Sequence, residues 1–382
     1  MAYSIPLSFP VFDGNESHNI QQAISTGQLA TNGEFIEKFE RKLGWKIKSH
    51  QAVALNSGTS ALHLALLLLG VEAGDEVICQ SFTFCASANP IVYLGATPVF
   101  VDSEEDTWNM SPELLEDAVL SRISLGKKPK AIVVVHLFGM PAKMKEIMEI
   151  SERYDIPVLE DAAEAVGSTY MGRSCGALGK VGVFSFNGNK IITSGGGGAL
   201  ISTDAGMVEK AKYLSTQARE DLPYYQHLEI GYNYRMNNMA AGIGLAQLEK
   251  LDDCVAKRRI INQRYKLLFE GFPGIEFQPE VEESFSNFWL TTILINSQKT
   301  GFSNDHLRVK LFRAGIETRF LWKPLHLQPV FRGAPFYGGQ VAENLFLKGL
   351  CLPSSESLSF ESQQMIVGIF EKELGKVSRG GL

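Results

Sequence analysis

A lysine, two carboxylates and a glycine turn carry the chemistry this chain can offer. Lys190 lies between two glycine-bearing turns, in Ser185-Phe-Asn-Gly-Asn-Lys190 followed by Ile-Ile-Thr-Ser-Gly-Gly-Gly-Gly198. Upstream, the apolar run Pro157-Val-Leu ends in Glu160-Asp161, and Glu164 follows on the next turn. Asn56-Ser57-Gly58-Thr59-Ser60 leads directly into the apolar stretch Ala61-Leu-His-Leu-Ala. A lone loop lysine is ordinarily a solvated one, and a lone strand-end acid an ordinary cap. Together they can do more. An amine can hold an aldehyde as a Schiff base, an acid can keep a ring nitrogen protonated, and backbone N–H groups at a helix start can hold a phosphate. Pyridoxal 5′-phosphate makes those three demands of a protein. Lys190, Asp161 and the Gly58 turn suit them in that order.

Short strands and helices must position these residues. Strands are expected at 52–55, 76–79, 98–101, 131–136, 158–160, 181–186 and 199–202. Between them the spacing predicts helices at 60–69, from about 86 to 94, at 112–120 with Ser111 as N-cap, at 142–154 and at 209–214. Such alternation predicts an α/β fold: a mainly parallel central sheet flanked by helices on both faces. An arm over 1–31 should enter a helix near 14–25, with a second at 35–43. A long helical stretch over 238–255 is expected to run on into 256–269. Strands at 290–295 and 317–320 and helices at 304–314 and 361–374 complete a smaller C-terminal α/β domain. The division expected is 1–250 for the arm and large cofactor-binding domain and 251–382 for the small domain. The tail at 378–382 is expected to lack fixed structure.

The chain resembles the fold type I pyridoxal phosphate enzymes of the DegT/DnrJ/EryC1/StrS group, the nucleotide-sugar aminotransferases. The resemblance rests on seven stretches: 56–61, 80–86, 160–167, 185–197, 215–220, 231–235 and 322–331. Within the group it is most similar to enzymes that aminate C4 of a UDP-4-keto-6-deoxy-N-acetylglucosamine on the route to bacillosamine. The resemblance implies pyridoxal 5′-phosphate as cofactor, L-glutamate as amino donor and a homodimer with shared active sites. It implies that Lys190 is the Schiff-base lysine and later moves a proton. Some relatives carry His there and remove oxygen instead of adding nitrogen. It implies that Asp161 pairs with the ring nitrogen, and that Gly58, Thr59 and Ser185 bind the phosphate. Phe84 would lie against the ring. Glu164 stands where Gln is commoner in the group; the bacillosamine-type relatives also have Glu. Asn233, in Gly-Tyr-Asn-Tyr-Arg, matches a position that reaches the cofactor phosphate of the other subunit. His326, Arg319 and Arg235 are candidates for the sugar or diphosphate; for each arginine, ordinary ion pairing is the alternative. His136 ends a strand and is either a ligand-face residue or a satisfied core histidine.

Other chemistry fits less well. The chain has 382 residues, 45% hydrophobic and 20% charged, with a net charge of -6, so nothing basic points to nucleic acid. Five scattered cysteines without a CxxC pair fit a reducing cytoplasm. The longest apolar stretch, 61–71, is too short to cross a bilayer. Gly172-Arg-Ser174-Cys-Gly176 matches the G-x-S-x-G pattern, but its flanks predict a glycine-rich hairpin or loop, not a strand–turn–helix. The seven histidines show no metal spacing. Cysteine desulfuration would need a nucleophilic cysteine on a mobile loop, and Cys351 in Leu-Cys-Leu-Pro reads as buried strand. A non-catalytic cofactor-binding regulator would not need both Lys190 and Asp161.

Overall fold

The computed structural model describes residues 3–48 and 51–379, with side chains through residue 375. After an irregular arm come α1 (Asn15–Ser25) and α2 (Glu34–Lys46). β1 (Gln51–Leu55) leads into α3 (Gly58–Leu68), whose first turn is capped by Ser57: its Oγ accepts from the Ser60 N–H at 3.0 Å. After β2 (Glu76–Gln80), the helix expected from about 86 is instead a 3-10 turn at Cys85–Ser87 followed by α4 (Asn89–Tyr93), with Pro90 in its first turn. β3 (Thr97–Val101), α5 (Pro112–Ser124), β4 (Ala131–Val135), α6 (Met144–Tyr154) and β5 (Val158–Asp161) follow. Ser111 caps α5 as expected. β6 (Thr169–Tyr170) and β7 (Arg173–Ser174) form a hairpin. Its turn residues Met171 and Gly172 both have positive φ, 49° and 74°, the geometry of a tight two-residue hairpin turn. Ser174 therefore lies on a hairpin strand and no helix follows it, which removes the hydrolase motif.

β8 (Val181–Ser185), β9 (Gly198–Ser202) and α7 (Ala205–Ser215) close the first part of the chain. The long helix expected over 238–269 is two: α8 (Asn238–Glu249) and α9 (Leu251–Leu268). The break is at Lys250, where no glycine or proline marks it; the Lys250 ammonium is drawn to Glu16 Oε1 at 2.6 Å. The remainder holds β10 (Ile275–Phe277), β11 (Ser284–Phe285), β12 (Thr291–Ile295), α10 (Ser297–Thr300), α11 (Asn304–Arg313), β13 (Arg319–Phe320), β14 (Phe336–Tyr337), α12 (Val341–Lys348), β15 (Gly349–Leu352) and α13 (Phe360–Arg379). The tail expected to lack structure is helical through Arg379, and 380–382 lie outside the described residues.

The central sheet has the order β1-β9-β8-β5-β4-β2-β3-β14. Pairs from β8 to β14 are parallel, and β9 is antiparallel to both its neighbours. Strands such as Ala131-Ile-Val-Val-Val135 are buried along their whole length, because both faces of the sheet are covered. Ile132 and Val134 enter one core with Phe39 and Leu115; Ala131 and Val133 enter the other with Leu62, Leu64 and Leu66. Each such buried leucine stabilises the fold by about 1.5–3 kcal/mol relative to exposure. A second, antiparallel sheet, β10-β12-β15-β13, shares a third core with Tyr265, Leu307 and Phe370. Among the described residues, three pairings cross the expected boundary at 250/251. The arm bridges Ile5 to Ile316, β14 adds to the edge of the large sheet beside β3, and β11 pairs with β6 of the hairpin.

Candidate active site

Parallel strands bring their carboxyl ends to one edge of a sheet, and a crevice forms there. β5 ends at Asp161, β8 at Ser185 and β4 at Val135, and α3 begins beside them at Gly58. These ends line a cavity of about 370 Å³. It gathers seven of the eleven residues singled out by sequence: Lys190, Gly58, Thr59, Phe84, Asp161, Glu164 and Ser185. The close approach of α3 to β8 requires its glycine: a Cβ at Gly58 would meet Ser185 Cβ at 3.0 Å. Gly198 is equally constrained, since a Cβ there would lie 2.4 Å from the Ser57 carbonyl.

Two buried acids face the lysine. Asp161 Oδ2 accepts from Ser87 Oγ at 2.6 Å, and Thr83 Oγ1 lies 2.9 Å behind Ser87. Burial pushes the Asp161 carboxyl up, against the Ser87 bond, an Ala163 N–H and the charge of Lys190. Glu164 Oε2 accepts from the Phe138 N–H at 2.7 Å, and its Oε1 lies 3.4 Å from Lys190 Nζ. Burial raises this carboxyl too, with Lys190 opposing. The Lys190 ammonium sits over the Trp289 ring, 4.1 Å from its centroid. Phe84, half exposed at the rim, tilts against Trp322 at 5.2 Å.

The other four residues lie elsewhere. Arg319 lines an adjoining cavity of about 530 Å³ that shares Asn189, Trp289 and Trp322 with the first, and its guanidinium pairs with Glu317 at 2.9 Å. Asn233 and Arg235 line a third cavity of about 780 Å³. Asn56, which lines the first cavity, donates through Nδ2 to the Asn233 carbonyl at 3.1 Å. Arg235 is buried, bound to Glu40 and donating to the Ala54 carbonyl at 3.1 Å. His326 lines none of these cavities: it bonds Ser81 Oγ at 2.7 Å and Glu343 at 3.2 Å and stacks on Phe336. His136 is a satisfied core histidine, held by Glu160 at 2.9 Å and the Ala142 N–H at 3.1 Å. Its partner Glu160 also accepts from the Gly176, Leu178 and Gly179 amides.

A family model for the DegT/DnrJ/EryC1/StrS aminotransferases matches residues 10–371. The chain belongs to that family. It is 47% identical over 373 residues, 97% of this chain and 95% of the relative, to a Bacillus subtilis protein whose name assigns it to the pyridoxal phosphate-dependent aminotransferases, EpsN. It is 38% identical to the GDP-perosamine synthase of Escherichia coli O157:H7, covering 94% and 95% of the two chains. The crystal structure of a family aminotransferase from Brucella abortus superposes with a TM-score of 0.88 at 30% identity, covering 95% and 96%. The chain is thus a pyridoxal phosphate-dependent sugar aminotransferase.

The aminotransferase cavity fits its cofactor on its own geometry. It offers a single lysine, a buried acid with space before it for a cationic ring nitrogen, and the start of α3 with its Gly58 cradle for a phosphate. Sequence reading missed Ser87, which bonds Asp161, and Trp289 and Trp322, which wall the cavity. Trp322 stood in a matched stretch; Ser87 and Trp289 carried no signal, because their partners are distant in sequence.

Proposed function

We propose that this aminotransferase moves the amino group of L-glutamate to C4 of a UDP-4-keto-6-deoxy-N-acetylhexosamine, giving a UDP-4-amino sugar of the bacillosamine type for glycan synthesis. The observation that carries the reading is the pairing of Lys190 with Glu164 inside the cavity. Pyridoxal phosphate supplies the carbonyl that carries the amino group and the electron sink that makes the neighbouring C–H acidic. The chain supplies the rest. Lys190 takes a proton from the donor carbon and returns one at the acceptor carbon. Glu164 holds that amine in place from 3.4 Å. Asp161 keeps the ring nitrogen protonated, with Ser87 fixing its carboxylate. Gly58, Thr59 and Ser185 hold the phosphate. Arg319 in the adjoining cavity meets an anionic group of either substrate, by exchanging its contact with Glu317.

Asn233 lies off the cavity of its own chain, so we take the working unit to be a homodimer in which it completes the other subunit's site. Five free cysteines support a reducing cytoplasm as the place of reaction. A GDP-linked keto sugar is the second reading, favoured by the similarity to a GDP-perosamine synthase. Mass spectrometry of the loaded enzyme with L-glutamate and either UDP-4-keto-6-deoxy-N-acetylglucosamine or its GDP-linked counterpart tests both. Amination of the UDP ketone alone supports the proposal, and amination of the GDP sugar alone sinks the nucleotide.

A further inference from the structure

Arg258, on α9, is sealed from solvent, yet it is poorly paired. Its nearest carboxylate oxygen, Glu356 Oε1, is 3.8 Å away, and neither Arg258 Nε nor that oxygen has a hydrogen-bond partner among the described residues. Burial lowers its pKa to about 10, with Glu356 pulling the other way. An apolar side chain of similar volume would serve stability as well or better. The two N–H groups it does use are therefore informative. Nη1 donates to the Trp289 carbonyl at 2.6 Å, and Nη2 donates to Ser8 Oγ at 3.2 Å. Ser8 passes its own proton to the Asn189 carbonyl at 2.7 Å. The Trp289 indole N–H donates to that same carbonyl at 2.8 Å. Donors and acceptors run consistently, and the ring closes: Arg258 to Trp289 and Ser8, and both of those to Asn189. The next residue is Lys190, whose ammonium rests on the Trp289 ring.

We propose that Arg258 is a positioning residue for Lys190. It locks the carbonyl before the lysine and the indole beneath its ammonium into one hydrogen-bonded ring that also takes in the N-terminal arm through Ser8. The ring joins α9, the segment before β12, the lysine loop and the arm, so the lysine is held by three remote pieces of chain. This rests on Lys190 being the reacting amine, as proposed above.

Ser8→Ala opens the ring while leaving the buried charge in place, and Arg258→Lys keeps the charge but not the planar fork that reaches two acceptors at once. In the cofactor-free protein, either change should speed amide exchange at Lys190 and Ser194, with the melting temperature of Ser8→Ala little moved. In the loaded enzyme, kcat should fall about tenfold or more while KM for both substrates stays within about twofold, because misplacement of a reacting group costs rate rather than binding. If Arg258→Lys fails to fold, Ser8→Ala decides alone. Unchanged loop exchange and unchanged kcat in Ser8→Ala overturn the proposal, whatever happens to melting temperature. Lys190→Ala separates the two levels: if it keeps turnover, the assignment of Lys190 itself falls; if it is dead while Ser8→Ala matches the parent, only the ring does.

Discussion

Asp161 sits where an acid is costly. It is almost fully buried, and its carboxyl is raised above the ordinary 3.8 by that burial. A carboxyl raised in the fold opposes folding once it ionises. The cost is absent below 3.8, grows as pH climbs from 3.8 to the raised value, and is constant beyond it. A cationic ring nitrogen placed against Asp161 would offset that cost, which is why the acid belongs to the loaded enzyme more than to the empty one. Asparagine keeps an acceptor for Ser87 and removes the charge. The cofactor-free Asp161→Asn protein should therefore melt no lower than its parent near neutral pH, with any gain vanishing as pH falls to 3.8. Its cofactor affinity should fall by about tenfold or more, since one pKa unit of lost charge interaction corresponds to about 1.4 kcal/mol. Thermal melts across pH and a cofactor titration check both; a lower neutral-pH melt without cofactor would show the carboxylate to be stabilising by itself. Lys190, Asp161 and Gly58 were legible as neighbours in one cavity because together they suit one cofactor, although each alone is ordinary at such a turn. Arg235 and His326 were less so. Their types suit a substrate as well as a salt bridge, and the partners that engage them, Glu40 and Glu343 with Ser81, are known only from the fold.

Among the elements, the strands were the most legible, since runs such as Ala131–Val135 have no reading but burial on both faces. The helix limit set by the Ser111 cap was legible too, whereas Ser57 caps α3 so that it starts at Gly58, ahead of the expected 60. The break between α8 and α9 was not, because no glycine or proline marks it, and the α1 partner of Lys250 at the break is known only from the fold. Glu16 on α1 receives Lys250 Nζ and Gln247 Nε2, each at 2.6 Å. Burial pushes the Glu16 carboxyl up, but these bonds outweigh it and bring it from 4.5 down to about 2. A lowered carboxyl stabilises the fold fully above 4.5, and the contribution is lost as pH falls from 4.5 to about 2. Acid should therefore loosen α1 before it unfolds the sheet. Amide exchange measured on α1 should show a step in protection across that window. Glu16→Gln should exchange faster than the parent at neutral pH and show no step; a step that persists in the variant would assign the acid response to another group.

At the scale of the molecule, Asn233 stands apart from the lysine cavity of its own chain. Asn56 in the wall of the Lys190 cavity bonds the Asn233 backbone, yet the Asn233 side chain does not line that cavity. Around the third cavity the segment carrying Tyr224, Tyr225, Leu228 and Ile230 is exposed, Ile230 to 84% of its surface. Apolar side chains grouped in this way mark a surface that another molecule covers. Cyclic pairing of two identical chains would bring each Asn233 towards the other's lysine cavity. Lys190→Ala and Asn233→Ala should each be nearly inactive alone. Refolded or coexpressed together, they should regain activity if Asn233 works across the interface. A mixed dimer then holds one site with both residues intact, and random pairing makes about half of all dimers mixed, so about a quarter of parental activity returns. If Asn233 instead serves its own chain, no pairing contains a complete site and the mixture stays inactive. Size-exclusion chromatography with light scattering on the same mixture confirms that the dimers form, so an inactive mixture of intact dimers would place Asn233 outside the partner's site.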